Sequence, residues 1–100
     1  MHSVIRGYVG SQNLADELKK QARNIEMEIS SVPGFIAYYL LKTEDGAVAV
    51  TVCEDRRSCA ESTLRAAAWL SRNRPDLRLD PPHLVEGEVA FQFARTHVMA

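Results

Sequence analysis

Cysteine is scarce: Cys53 and Cys59 are the only two in 100 residues. That is too few for a disulfide scaffold, so both are read as reduced thiols in a cytoplasmic protein. Long apolar runs are missing as well. No stretch approaches the roughly 20 residues of a membrane span, and Met1-His2-Ser3 leads straight into a strand pattern with no signal-peptide character. No membrane partner is expected. Charge of one sign is also lacking. Lys plus Arg total 12, Asp plus Glu 13, and the net charge is -1, so no basic excess draws in nucleic acid. Arg56-Arg57 and Arg72, Arg74 and Arg78 read as solvated surface.

Motifs of known chemistry are absent. Only three histidines occur, His2, His83 and His97, and they form no H-x-x-H or H-E-x-x-H. With no paired C-x-x-C either, no metal site is argued. Gly7 and Gly10 lack the third glycine of a dinucleotide cradle, and no G-x-S-x-G or Walker-type run is found. Glu86 and Glu88, flanking Gly87, read as a solvated strand edge. No cofactor is called.

What is present is a clear element pattern. Val4 to Val9 reads as a first strand. Ser11 or Asn13 can cap a helix, with Asp16 and Glu17 favourably placed in its first turn. Leu14, Leu18, Ala22, Ile25 and Ile29 fall on one helical face. Lys19, Lys20, Arg23, Asn24 and Glu26 fall on the wet one. Ser30, Ser31, Pro33 and Gly34 end the helix, because proline has no N–H and disfavours helix at the residue before it. Phe35 to Lys42 is a second strand. Thr43-Glu44-Asp45-Gly46 is a hairpin turn in which Gly46 can take positive φ. Ala47 to Cys53 is a third strand. Ser58 and Glu61 match a capping box for a helix over about Cys59 to Arg72, with Ala60, Leu64, Ala67 and Ala68 as the face that approaches the sheet. Asn73 is a C-terminal cap and Pro75 blocks continuation. Asp76 to His83 is an irregular linker, and Glu88 to Arg95 alternates as a fourth strand.

The order βαββαβ is that of a ferredoxin-like α+β fold. It forms a four-stranded antiparallel sheet with two helices on one face, given right-handed crossovers. The chain is read as a single domain over 1–100. Two helices cover one face only, yet the second and third strands are apolar on both. Ile36, Tyr38 and Leu40 oppose Phe35, Ala37, Tyr39 and Leu41; Val48, Val50 and Val52 oppose Ala47, Ala49 and Cys53. Strands apolar on both faces are buried on both. A contiguous apolar patch implies a partner, and the economical one is a second copy, giving a two-fold homodimer through the sheet face.

VPGFIAYYLL, a DG turn, AVAVTVCED, a helix and a closing EGEVAFQF together resemble the dimeric α+β barrel superfamily, which includes the antibiotic-biosynthesis monooxygenases. The resemblance covers nearly the whole chain; Pro33-Gly34-Phe35 and Glu54-Asp55 are its best local marks. It implies a dimeric α+β barrel with a pocket between helices and sheet. It also implies an activity of the cofactor-free monooxygenase kind on a small aromatic or apolar molecule, in which deprotonating a phenolic substrate prepares it for O2. The alternative is a non-catalytic binding or stress-associated protein on the same scaffold. The haem-degrading branch carries an iron-ligating histidine on or near the second helix. The helix Cys59 to Arg72 has none and His83 follows Pro81-Pro82, which argues against that branch.

Within this frame the candidate pocket residues are Arg6, Tyr8, Trp69 and Asn73. Arg6 sits inside a strand and must reach water, pair with a carboxylate or meet a ligand; an ion pair is the favoured expectation. Trp69, the sole tryptophan, lines a pocket edge or packs over the sheet rim, with packing favoured. Tyr8, Tyr38 and Tyr39 are assigned to core or interface, with Gln92 a further polar group. Cys59 opens a helix whose dipole can lower its pKa, and a redox pair with Cys53 is conceivable across six residues.

Overall fold

A computed structural model describes residues 1–95; His97 lies outside them. The elements are β1 (His2–Val9), α1 (Leu14–Lys19), α2 (Ala22–Ser30), β2 (Phe35–Thr43), β3 (Gly46–Cys53), α3 (Arg56–Asn73) and β4 (His83–Glu88). The four strands form one antiparallel sheet in the order β2-β3-β1-β4. This is the ferredoxin-like α+β arrangement, with three helices rather than two.

The extra helix arises because the first helical stretch breaks. Gln21 N–H donates to the Leu18 carbonyl at 2.9 Å, a three-residue closure that interrupts the α-helical ladder. Ala22, on the expected apolar face, is therefore exposed, while Leu14, Leu18 and Ile29 stay buried. Asp16 and Glu17 occupy the first turn of α1. No side-chain cap forms there: Asn13 is the N-cap residue but makes no capping bond.

All three helices lie on one side of the sheet. The strand residues beneath them share a parity: Val4, Arg6 and Tyr8 from β1, and Ala47, Ala49, Thr51 and Cys53 from β3. The other face carries Ile5, Val9, Tyr39, Leu41 and Val85, all exposed, around half-buried Val48, Val50 and Val52. The apolar character of both faces of β2 is thus real. A register shift between Phe35 and Ala37 puts Phe35 opposite Cys53 and Ala37 opposite Val52. Phe35 therefore joins Tyr38 and Leu40 on the helix side, and Ala37, Tyr39 and Leu41 take the open side.

Two glycines are required by contact. Gly34 has φ +87°, and a Cβ there would lie 2.6 Å from Ser58 Oγ. Gly46 does not adopt positive φ as expected. Its need is steric, since a Cβ would fall 1.9 Å from the carbonyl oxygen of Tyr8 on the neighbouring strand.

Three local expectations are corrected. The cap of α3 is Asp55, whose Oδ1 accepts from Ser58 N–H at 2.8 Å; Glu61 instead pairs with Arg65 at 2.9 Å. The bond from Ser58 N–H, and then that residue's side chain, hold the Asp55 carboxyl below its ordinary pKa. The buried face of α3 is Cys59, Ser62 and Trp69. Ala60, Leu64 and Ala68 face outward, Leu64 being 67% exposed, and Ala67 is exposed at a groove rather than packed on the sheet. Finally, β4 ends where Glu88–Arg95 was expected to begin. Its first residue, His83, pairs with Gly7 and its last, Glu88, with His2. One further bond, from Val89 N–H to the Met1 carbonyl at 2.9 Å, follows the last strand pair. Phe91 and Phe93 are left 76% and 90% exposed, their rings edge to face at 5.5 Å.

Candidate functional site

Arg6 is the unusual residue. It lies on β1 between β3 and β4, with its side chain under α3, and is 1% exposed. Its Nη2 donates to Thr51 Oγ1 at 2.7 Å, and its Nη1 to Thr63 Oγ1 at 3.1 Å and Ser62 Oγ at 3.3 Å. Its Nε has no partner. The expected carboxylate is absent: no ion pair among the described residues includes Arg6. Arginine stays protonated in proteins. Removing such a charge from water costs several kcal/mol, and neutral hydroxyls satisfy its N–H groups without neutralising it.

Around Arg6 the sheet and helices converge apolar and aromatic groups. Tyr8 follows two residues along the same strand face and is buried with Leu14, Leu18, Ala47, Ala49 and Trp69; Tyr38 and Leu40 pack against this cluster from β2. Burial raises the pKa of both the Tyr8 and the Tyr38 phenol, against the opposing pull of the Arg6 charge. Both phenols therefore stay protonated near neutrality and can donate.

This cluster encloses a narrow waist of about 30 Å³, lined by Arg6, Tyr8, Tyr38 and Trp69 among others, room for one or two waters. Two larger grooves adjoin it. One, of about 590 Å³, lies between α1–α2 and β2 and shares Leu18, Ile25, Ile29, Tyr38 and Leu40 with the waist. The other, of about 580 Å³, lies under α3 and the 74–82 connection and shares Arg6, Tyr8 and Leu70 with it. Leu77 and Leu79 roof the second groove and pack against the core, so the connection read as irregular is partly tied down.

Of the four residues singled out from sequence, Arg6, Tyr8 and Trp69 meet at the waist. Asn73 does not line it. It is exposed at the end of α3, where its Nδ2 donates to the Trp69 carbonyl at 3.0 Å. Tyr39 lies on the open sheet face, and Gln92 in the exposed segment after β4. Sequence reasoning missed Glu28, which lines the waist while its Oε1 accepts from Arg72 Nη2 at 2.6 Å. It also missed the three hydroxyls on Arg6; no local pattern joins Thr51, Ser62 and Thr63 before the fold does.

The cysteines stand apart from the waist. Both are free and buried, Cys59 Sγ donating to the His2 carbonyl at 3.3 Å. Burial raises both thiols, Cys53 to about 11. Desolvation thus outweighs the helix-terminus effect anticipated for Cys59. Among the described residues no His/Cys/Asp/Glu cluster could hold a metal ion. No described histidine lines the waist or either groove. His83 pairs with Gly7 at the start of β4, and His2 Nε2 lies 3.2 Å from Glu86 Oε1. The described residues of these spaces therefore supply no histidine to a haem iron.

No family model and no curated protein matches the chain. Solved structures do. A haem-degrading protein, MhuD of Mycobacterium tuberculosis, solved with two haems in its active site, superposes with a TM-score of 0.70 at 21% identity, over 94% of this chain and 100% of that one. A dimeric ferredoxin-like protein from an uncultured marine organism gives 0.64 at 14% identity, over 94% and 96%. The ActVA-Orf6 monooxygenase of Streptomyces coelicolor, in complex with nanaomycin D, gives 0.62 at 19% identity, over 95% and 91%. The chain thus has the ferredoxin-like fold of the antibiotic-biosynthesis-monooxygenase-like proteins.

Proposed function

We propose that this protein is a cofactor-free, monooxygenase-like enzyme whose substrate, a small aromatic or apolar molecule, lies in the groove beneath α3. The observation that carries this reading is the groove itself. At about 580 Å³ it matches the size of small-molecule sites. It is largely apolar, and it opens onto the waist at Arg6 and Tyr8. The fold shared with the ActVA-Orf6 monooxygenase adds support. In such chemistry the substrate supplies the electrons: a ring CH2 becomes C=O while O2 yields that oxygen and one water. The protein's part is to exclude bulk water, orient the ring against Tyr8 and Leu70, and stabilise the deprotonated substrate. Asn73, through its bond to the Trp69 carbonyl, acts as a support for the tryptophan.

The working form in this proposal is a homodimer joined through the open sheet faces. The exposed Tyr39, Leu41, Ile5 and Val85 support it, as does the alternating sequence of Val89–Arg95, which pairs with no strand among the described residues. The likeness to a dimeric ferredoxin-like protein points the same way. The free thiols suit a cytoplasmic setting. No described helix is long and apolar enough to cross a membrane.

One observation favours a second reading, a non-catalytic binding protein. Glu28 is held by Arg72, both phenols stay protonated, and Asp80 is an exposed residue of the groove lining. Asp80 is thus the one carboxylate in the groove lining, and no hydrogen bond among the described residues orients it as a base. Oxygen uptake with anthrone in chelator-treated buffer separates the two readings. Protein-dependent uptake supports the enzyme; saturable anthrone binding with no uptake supports the binding protein.

A further inference from the structure

We infer that the molecule bound beneath α3 carries an ionised oxygen on an apolar body, and that Arg6 is its counter-charge. This rests on the groove being a ligand site, and it adds what that ligand must be. Arg6 is a full positive charge at 1% exposure. Its three described acceptors are the neutral hydroxyls of Thr51, Ser62 and Thr63. Its Nε is buried with no acceptor, and Arg6 lines both the waist and the groove. A guanidinium pairs best with a planar or single anionic oxygen through its fork of N–H donors. Tyr8, kept protonated by burial, lines the same two spaces and supplies a second donor to the same oxygen.

The surrounding charges leave this role open. Arg74, also on the groove, is occupied by Asp76 at 2.8 Å and Glu17 at 3.7 Å. Asp80 lines the groove without pairing to Arg6. The rest of the lining is mainly apolar, including Leu70, Leu77 and Leu79, so the body of the ligand is apolar. A carboxylate and a phenolate share this chemistry, and either satisfies it.

Calorimetric titration of the full chain with 2-naphthoate, 2-naphthamide and 2-naphthol tests the inference. Naphthoate is expected to bind roughly ten- to hundredfold more tightly than the amide, the span of a charge-assisted hydrogen bond. A naphtholate absorption band appearing in the complex at neutral pH identifies a phenolate-binding site and supports the inference equally. Arg6→Met is expected to erase the preference for naphthoate while the amide still binds. Should that variant not fold, the wild-type comparison decides alone. Equal binding of naphthoate and amide with no naphtholate band overturns the inference and leaves the groove a ligand site. Binding of none of the three overturns both.

Discussion

Replacing Arg6 by methionine and Thr51 by valine together is expected to leave the protein as stable as the wild type, or more so. The single change Arg6→Met strands Thr51 Oγ1, which is fully buried and accepts from Arg6 at 2.7 Å. A buried hydroxyl left without its partner costs about 1–3 kcal/mol. Ser62 and Thr63 suffer less, because both hydroxyls also donate to the Cys59 carbonyl, at 2.6 and 3.4 Å. Valine at position 51 removes the stranded group. What then remains is the relief of a buried charge. Exchanging buried ions for apolar groups of similar volume is often neutral or stabilising by about 1–4 kcal/mol. The double variant should therefore exceed Arg6→Met by about 1–3 kcal/mol and match or exceed the wild type. Urea unfolding at equilibrium measures this. In a chain of this size 1 kcal/mol also moves Tm by about 4–8 °C. A double variant less stable than the wild type by more than about 2 kcal/mol would refute the reasoning, showing that Arg6 is chiefly a structural tie between α3 and the sheet.

Other consequences are as direct. Sedimentation equilibrium should give twice the 11.2 kDa chain mass, and Val50→Asp on the open sheet face should return a monomer; a wild-type monomer at micromolar concentration would contradict the homodimer. The Cys53 thiol, raised by burial from 9.0 to about 11, keeps its proton longer in the folded state. Its contribution to stability is therefore complete below pH 9 and is lost as pH rises toward 11. Cys53→Ala should flatten that part of a melting-temperature profile, and an unchanged slope would exclude the thiol as its source. Gly34→Ala should destabilise by about 1–3 kcal/mol, since both its positive φ and the 2.6 Å approach to Ser58 Oγ oppose a side chain. Adding Ser58→Ala should recover only the steric part, as the denaturant midpoint will show.

The fold was legible because strand and helix periods are strong signals and because Gly34 and Pro33 punctuate them. The apolar character of β2 on both faces was legible for the same reason, and the structure leaves one of those faces uncovered. The fourth strand was not legible. Glu88 to Arg95 alternates cleanly, but alternation says nothing about whether a partner strand pairs with it, and the register with β1 covers His83 to Glu88 instead. The face of α3 was misread because, Trp69 apart, its inward residues are small or polar. Cys59 and Ser62 are buried beside a charged side chain, while the more apolar Leu64 faces outward. Arg6, Tyr8 and Trp69 stood out as chemically conspicuous residues. Their convergence, and the lack of any carboxylate on Arg6, depend on contacts across more than fifty residues, such as Arg6 with Ser62 and Thr63.

Trp69 is the single tryptophan and lines the waist, so its emission reports on the space that shares Arg6, Tyr8 and Leu70 with the groove. Anthrone titrated under argon, followed by admission of O2 to the same cuvette, tests binding and reaction together. The account predicts saturable quenching of Trp69, then protein-dependent loss of anthrone with one O2 consumed per molecule. Emission unmoved by anthrone, with oxidation no faster than in protein-free buffer, would contradict it.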